Sequence, residues 1–303
     1  MSIRAALISL VMARTIRPLF DNVADITGFR DKLAKAAGLN PGVPKGVDVT
    51  SEVIAGVPCE WVRVQSGQRL SDSARVLLYL HGGGFVSGGA DSHRNLAWRL
   101  AQASGMTVLM VEYRLAPEHQ FPAGLDDATL CYRHLLDQGF EPENIALGGD
   151  SAGGGLALAL LLNLKNLGLP MPDKTILLSP WLDLSLTGDS LGTNIATDVM
   201  LTPKALQTCA GFYLGQRDPE APLASPLFGD LKGLPPLLVH ASSTELLLSD
   251  SMRLVTAVEA QGGAIECTVW PKMPHVFQVF AGRIPEGDEA IQQLGTFLDT
   301  RPH

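Results

Sequence analysis

The feature of this 303-residue sequence that most constrains its fold is a regular alternation of short apolar runs with longer helical patterns. Past residue 50, runs rich in valine, leucine and isoleucine are separated by segments with the 3.6-residue periodicity of helices. This alternation predicts an α/β fold in which helices cover both faces of a mostly parallel sheet. The predicted strands are Cys59–Val64, Arg75–Leu80, Met106–Val111, Asn144–Leu147, Lys174–Leu178, Pro236–Ala241 and Glu266–Trp270. The predicted helices are Ala123–Leu136, Ser151–Asn166, Leu246–Gln261 and Glu286–Leu298.

Two regions do not follow this alternation, namely the first 45 residues and the segment from Leu182 to about Ala221. A structureless stretch of that length is uncommon inside a compact domain, so we expect both regions to form helices. We predict that residues 1–45 and 182–221 make a small helical cap, and that residues 46–181 and 222–303 make the main α/β domain. The cap is expected at the carboxyl ends of the strands, where open α/β sheets bind ligands.

Charge and hydropathy narrow the choice of partners. The chain has 23 basic and 31 acidic residues, a net charge of −8, and no basic cluster, so nucleic acid is not an expected partner. The apolar stretch Ala5–Ala13 has about half the length needed to span a bilayer, so stable membrane insertion is not expected. Arg14 and Arg17 follow it where a signal peptide has small residues, which favours a cytoplasmic location. Four cysteines are scattered singly and are expected to be reduced: Cys59, Cys131, Cys209 and Cys267.

The strongest chemical signal is a G-x-S-x-G pattern from Gly149 to Gly153, between a predicted strand and a predicted helix. In a nucleophile elbow, small residues two places either side of the serine let the strand and the helix approach closely. Such a turn exposes the Ser151 hydroxyl and places the Ala152 amide at the positive end of the helix dipole. A phosphate-binding loop is the alternative, but Leu156–Ala157 follows the glycines where that loop needs lysine and serine or threonine.

A second glycine cluster, His81–Gly84, follows the predicted strand Arg75–Leu80. Consecutive glycines leave backbone amides unhindered, so the amides of Gly83 and Gly84 are candidates for stabilising an oxyanion. A histidine at the start of such a loop more often holds the loop by hydrogen bonds than acts as a base. We therefore expect a structural role for His81.

These residues resemble the hormone-sensitive-lipase-like branch of the α/β-hydrolases, whose hallmarks are H-G-G-G and G-D-S-A-G. The resemblance covers nearly everything from residue 50 onward, whereas the first 45 residues match only in placement. It implies an α/β-hydrolase fold with a cap, a serine carboxylesterase activity without cofactor or metal, and a homodimer. The further matching segments are Tyr113–Glu118, Phe121–Ala123, Asp126–Asp127, Ser179–Asp183 and Met273–Phe277.

The order of residues along the chain identifies a candidate base. In this fold the nucleophile comes first, then the acid, then a histidine near the carboxyl terminus. Three histidines follow Ser151: His240 lies within an apolar run, and His303 is at the terminus. His275 lies in a loop after the last predicted strand and is the predicted base.

Two carboxylates, Glu245 and Asp250, compete for the role of the acid that orients His275. The family commonly has Asp-Pro-Leu at this point, and Glu245–Leu247 aligns with it, with glutamate in place of aspartate. Glu245 is preferred because it lies where the loop meets the helix. Asp250 would lie a turn deeper, and we expect it on a solvated helix face.

The remaining polar residues have structural interpretations. Asp150, beside the nucleophile, is expected to support the glycine loop rather than to serve as the triad acid. Neither an H-x-x-x-H pattern nor a pair of close histidines indicates a metal site. Ion pairs or helix caps are expected for Arg114, Asp126, Asp127 and Asp183.

The leading functional interpretation is hydrolysis of short- to medium-chain acyl esters through an acyl-enzyme on Ser151, with Glu245 and His275 completing the triad. Gly83, Gly84 and Ala152 form the expected oxyanion hole. A long-chain lipase is the near alternative, although no long exposed apolar surface is evident in the cap region. An amide hydrolase or deacetylase, or a small-molecule receptor on the same fold, remains open.

Overall fold

The computed structural model describes residues 1–37, 42–64 and 75–299. Within those ranges an eight-stranded sheet has the order β1-β2-β4-β3-β5-β6-β7-β8. β2 is antiparallel to both of its neighbours, and the other strands run parallel, so the sheet is mostly parallel as predicted. The strands are β1 (Val47–Ile54), β2 (Val57–Val64), β3 (Val76–Leu80), β4 (Thr107–Val111), β5 (Ile145–Asp150), β6 (Lys174–Leu178), β7 (Leu237–Ser242) and β8 (Ile265–Trp270).

The predicted fold class is confirmed, and each of the seven predicted strands overlaps one of β2–β8. β1 was not among them. It is an edge strand in which residues 50–53 are all exposed, so it lacks the apolar run by which buried strands are recognised.

The described ranges also contain ten α-helices. The four predicted helices correspond to α5, α6, α9 and α10. α4 was not predicted, although Leu96–Ala97 and Leu100–Ala101 form a buried stripe with helical spacing on it. The helices are α1 (Ile3–Thr15), α2 (Arg17–Asp21), α3 (Ile26–Ala37), α4 (Ala90–Ser104), α5 (Ala123–Asp137), α6 (Ala152–Asn166), α7 (Ser190–Thr193), α8 (Pro203–Leu214), α9 (Leu248–Ala260) and α10 (Pro285–Asp299).

Two hydrophobic cores cover the two faces of the sheet. Successive residues of β3 alternate between them, because side chains in a strand point to opposite faces. α4 and α10 pack on one face, and α5, α6 and α9 pack on the other. Residues 152–162 of α6 are all buried, so this helix is fixed on every side and its amino terminus is held at the carboxyl end of β5. The residue between them is Ser151.

α1 carries an apolar stripe that faces away from the protein. Ile3, Leu7, Leu10 and Val11 are 90%, 61%, 47% and 51% exposed, and they follow helical spacing. The expectation that the cap region has no long exposed apolar surface is therefore wrong for α1. The opposite side of α1 is apolar as well, so periodicity alone did not reveal which stripe is buried. None of the helices in the described ranges is long and apolar enough to cross a membrane.

Candidate active site

The turn between β5 and α6 holds Ser151 in a strained backbone conformation, with φ 53° and ψ −122°. A Cβ on Gly149 would lie 2.3 Å from the carbonyl oxygen of Gly153, and one on Gly153 would lie 2.0 Å from that of Leu80. Both positions therefore exclude any side chain. The close approach of strand and helix, which aims the serine hydroxyl out of the sheet, requires these glycines.

Three predicted side chains come together at the carboxyl ends of β5, β7 and β8. Ser151 Oγ lies 2.9 Å from His275 Nε2, and His275 Nδ1 lies 2.7 Å from Glu245 Oε2. The other carboxylate oxygen, Oε1, accepts a hydrogen bond of 2.7 Å from the amide of Ser242. An imidazole held in this way can take a proton from the serine and share the resulting charge with the carboxylate.

Burial and charge act in opposite directions on His275, which is 1% exposed. Burial lowers its pKa, but the hydrogen bond and charge of Glu245 outweigh it, with further help from the charges of Asp198 and Asp150. The net result is a pKa above the ordinary 6.5. A positive charge on this imidazole is therefore stabilised.

The glycine loop after β3 presents free amides beside these three side chains. Gly83 has φ 125° and Gly84 has φ 65°, conformations that favour glycine. Among the described residues, none accepts a hydrogen bond from the amides of Gly83, Gly84 or Ala152. Ala152 is the first residue of α6, where an amide has no partner within the helix. These amides are suited to receive a developing negative charge.

Asp150 joins the glycine loop to the elbow, as expected. Its Oδ1 accepts hydrogen bonds from the Gly82 amide at 3.0 Å and from the Tyr79 hydroxyl at 2.9 Å. His93 Nε2 lies 3.2 Å from Oδ2. Burial raises the pKa of Asp150, but the charge and hydrogen bond of His93, with that of Tyr79, outweigh it and lower the pKa. Sequence reasoning missed Tyr79 and His93, which lie within a strand and a helix without motif character.

His81 holds the loop rather than contacting the nucleophile. Its Nδ1 lies 2.9 Å from the carbonyl oxygen of Gly82, and its ring stacks on Tyr113 with 4.3 Å between centroids. The Tyr113 hydroxyl donates to the His81 carbonyl at 2.7 Å. Burial lowers the pKa of His81 to about 4, so the ring is neutral. His240, also set aside as the base, is fully buried in β7. His303 lies outside the described residues.

Asp250 is not on a solvated helix face, so that expectation is wrong. It is 3% exposed, and its Oδ2 accepts hydrogen bonds from the amides of Leu182 at 2.7 Å and Asp183 at 3.0 Å. The first turn of α9 packs against the chain that leaves β6, which places Asp250 inside. Its hydrogen bonds do not involve His275, and burial raises its pKa to about 7.

The expected structural ion pairs are present. Arg114 donates to Asp127 through Nε and Nη2 at 2.8–3.0 Å, and Arg253 lies 2.7 Å from Asp183. Asp126 lies in the first turn of α5, where a carboxylate favours the helix dipole. Within the described ranges, no group of three or more histidine, cysteine or acidic side chains is placed to hold a metal ion.

Aromatic side chains crowd the glycine loop from the side of α8. Phe85 stacks on Tyr213 with 3.9 Å between centroids, and Trp181 and Phe121 flank this pair at 5.8 and 5.7 Å. A Cβ on Gly84 would lie 3.0 Å from the sulfur of Cys209 in α8. This side of the glycine loop is therefore lined by aromatic and apolar side chains.

Known proteins resemble the chain along most of its length. The alpha/beta hydrolase fold family matches residues 77–279. Acetyl-hydrolase from Streptomyces hygroscopicus is 42% identical over 270 residues, or 89% of this chain and 87% of that protein. The crystal structure of an esterase from the bacterial hormone-sensitive lipase family is 41% identical, with a TM-score of 0.88 over 95% of this chain and 97% of that one. EstE5, from crystals soaked with p-nitrophenyl butyrate, is 37% identical, with a TM-score of 0.91 over 99% and 98%.

Proposed function

The chain belongs to the hormone-sensitive-lipase-like branch of the α/β-hydrolases and hydrolyses carboxylic esters, and on that premise we propose a serine carboxylesterase for short- to medium-chain acyl esters. The observation that carries the proposal is the continuous line of hydrogen bonds from Ser151 through His275 to Glu245. Along the chain these residues occur as nucleophile, acid and base, which is the order of the fold.

In the proposed acylation, Ser151 Oγ attacks the ester carbonyl carbon while His275 Nε2 takes the hydroxyl proton. The carbonyl π electrons move to oxygen, and the amides of Gly83, Gly84 and Ala152 donate to the resulting oxyanion. When the tetrahedral intermediate collapses, the bond to the leaving oxygen breaks. His275 gives its proton to that oxygen, so the alcohol departs neutral and an acyl-serine remains.

Deacylation repeats these steps with water as the nucleophile. His275 takes a proton from the water as its oxygen attacks the acyl carbon, and the same three amides receive the second oxyanion. Collapse breaks the bond to Ser151 Oγ, which regains its proton from His275. The products are a carboxylic acid and free enzyme. Throughout, Glu245 keeps the imidazole in the required tautomer and stabilises its charge.

A restricted acyl length is supported by the aromatic side chains around Phe85 and Tyr213 and by the low exposure of Ser151, which is 9%. Two relatives carry names that point the same way, an acetyl-hydrolase and an ethyl acetate hydrolase. We therefore expect the rate to be highest for chains of about four to eight carbons and to fall toward sixteen, because a longer chain outgrows a narrow site.

A lipase that acts at a lipid surface is the second candidate. The exposed stripe of Ile3, Leu7, Leu10 and Val11 on α1 favours it, since apolar helix faces bind lipid interfaces. A series of p-nitrophenyl esters, compared with an emulsified long-chain triglyceride, separates the candidates. Equal or faster turnover of the triglyceride would replace the first proposal by the second.

The nucleophile is tested with Ser151→Ala. We expect turnover of p-nitrophenyl butyrate near background and no labelling by a fluorophosphonate, because the hydroxyl is the group that bonds to the acyl carbon. Wild-type melting temperature in the variant is the control for folding. A folded variant that keeps a tenth of the wild-type activity would exclude Ser151 as the nucleophile.

Three less direct features also remain proposals. Residues 1–45 and 182–221 form a cap over a catalytic domain of residues 46–181 and 222–303. A cytoplasmic location is supported by the free thiols of the four cysteines, three of which are buried. A homodimer is expected by analogy with related hydrolases. Light scattering of the purified chain tests the dimer.

A further inference from the structure

The loop that carries Glu245 is held by a segment far away in the sequence, residues 194–198, which we call the acid-loop clasp. Asn194 Nδ2 donates to the carbonyl oxygen of Glu245 at 2.9 Å. Asp198 Oδ2 accepts from the amide of Leu246 at 2.8 Å. These two bonds engage the carbonyl and the N–H of one peptide unit, the unit directly after Glu245. The clasp therefore fixes the backbone from which the Glu245 side chain extends toward His275.

Further bonds secure the clasp on both sides. Asn194 Nδ2 also donates to the carbonyl of Ser243 at 3.3 Å, and Thr197 Oγ1 donates to that of Thr244 at 3.1 Å. On the other side, the guanidinium of Arg17 donates to the carbonyl oxygens of Ile195 at 2.9 Å and Asp198 at 2.6 Å. The amino-terminal helices are thus connected to the acid loop through the clasp.

Asp198 brings a buried carboxylate into the clasp. It is 2% exposed, and among the described residues its carboxylate bonds only to backbone amides, those of Leu246, Met200 and Leu201, each at 2.8 Å. Burial of a carboxylate away from a cation costs free energy, which hydrogen bonds to backbone amides offset in part. The nearby group that gains a positive charge during the proposed reaction is His275.

We propose that Asp198 is a positioning residue for the esterase reaction: with Asn194 it holds the peptide after Glu245, and its buried charge adds to that of Glu245 in stabilising the His275 imidazolium. This inference rests on the proposed triad. It gives the segment 182–221 a role in catalysis beyond covering the site.

Among the described residues, the charged groups that face His275 come from three elements. Glu245 lies on the loop after β7, Asp198 on the clasp, and Asp150 at the end of β5. All three are acidic, and each raises the pKa of His275 against the opposing effect of its burial. Removing one of them makes the imidazole easier to deprotonate, so the acid limb of the pH–activity profile moves to lower pH.

The experiment compares Asp198→Asn with Asn194→Ala and with the exposed, matched control Asp189→Asn. For Asp198→Asn we expect about a 10-fold loss of kcat at little change in KM, because a misplaced acid weakens the transition state more than substrate binding. The acid limb of its kcat/KM profile moves to lower pH. For Asn194→Ala we expect a lower kcat and an unchanged acid limb of the pH profile. For Asp189→Asn we expect both kcat and the acid limb to be unchanged.

The outcomes separate this inference from the proposed function. A folded Asp198→Asn protein with wild-type kcat and an unmoved limb would overturn the inference, whatever its melting temperature. An equal limb shift in Asp189→Asn would overturn it as well. If Asp198→Asn fails to fold, the test rests on Asn194→Ala, which leaves the Asp198 charge in place. A wild-type kcat in Asn194→Ala would then overturn the positioning role. The proposed nucleophile of the triad is tested separately, with Ser151→Ala.

Discussion

The two halves of the candidate site are supported in different ways. Ser151 and the oxyanion loop lie at the ends of β5 and β3, which are neighbours at the centre of the sheet. Their geometry depends on glycines that adjoin them in the sequence. Glu245 and His275 lie on loops after β7 and β8, toward one edge, and residues 194–198 hold the acid loop. The nucleophile half is thus specified by local sequence, whereas the acid half depends on contacts between distant segments.

Because of this difference, we expect the two halves to tolerate different kinds of substitution. Locally specified geometry fails when a backbone approach is blocked, so its weak points are glycines. Geometry assembled from loops fails when a charge or a hydrogen bond is removed, and the fold can survive that loss. We therefore expect substitutions in the nucleophile half to lower both stability and activity. Substitutions in the acid half should mainly lower activity.

The largest effect on activity in the acid half is expected from Glu245→Gln. Glutamine keeps the volume but loses the charge that stabilises the imidazolium, so kcat should fall by on the order of 10²–10⁴. Steady-state kinetics on one soluble ester measure it, and an unchanged melting temperature confirms that the damage is confined to activity. A near-normal Glu245→Gln beside a severely impaired Asp250→Asn would transfer the role of acid to Asp250.

For the nucleophile half, the corresponding test is Gly153→Ala. The added Cβ would lie 2.0 Å from the carbonyl oxygen of Leu80, so strand and helix must separate. We expect a loss of about 3 kcal/mol in the free energy of unfolding, and a loss of activity with it. The matched control is Gly211→Ala within α8, where nothing lies within 4 Å. There alanine should stabilise the helix by roughly 0.5–1 kcal/mol. Similar denaturation midpoints for the two variants would contradict the conclusion that the geometry of the turn at Ser151 depends on its own glycines.

The pH dependence of activity tests how strongly the acid half acts on its histidine. Because the pKa of His275 is raised above 6.5, the imidazole is protonated, and unable to act as a base, up to a higher pH than a free histidine. kcat/KM should therefore fall about 10-fold per pH unit below a midpoint that lies above 6.5. In Glu245→Gln the midpoint should move to lower pH. A wild-type midpoint below 6.5 would contradict the raised pKa.

The smallest effect on activity is expected from Asp250→Asn, since asparagine keeps a carbonyl oxygen that accepts from the amides of Leu182 and Asp183. Activity should stay within about two-fold of wild type. Stability should change with pH in a defined direction. Burial raises the Asp250 pKa to about 7 from an ordinary 3.8, so the wild type loses stability as the pH rises through that range and the variant does not. The melting temperature of the variant relative to wild type should therefore be higher at pH 8 than at pH 5.

The sequence predicted the elements whose signals are local. The parallel strands have apolar runs, and Ser151 and the glycine loop have motifs whose chemistry is apparent from residue type. β1 was not predicted because it lies at an edge of the sheet and most of its residues are exposed. The environments of Asp250 and Asp198 were not predictable because they depend on how α9 and the clasp pack. The sequence does not distinguish a carboxylate that faces water from one that accepts a hydrogen bond from a peptide N–H.

The central position of β3 and β5 also orders the rates at which backbone amides exchange with heavy water. Both strands are paired on each side and entirely buried, so their amides should exchange only when the whole sheet opens. β1 has one partner and four successive exposed residues, and it should exchange first among the strands. β5, which ends directly before Ser151, is therefore expected among the last parts of the chain to take up deuterium. Partial opening at the edge of the sheet therefore leaves Ser151 in place.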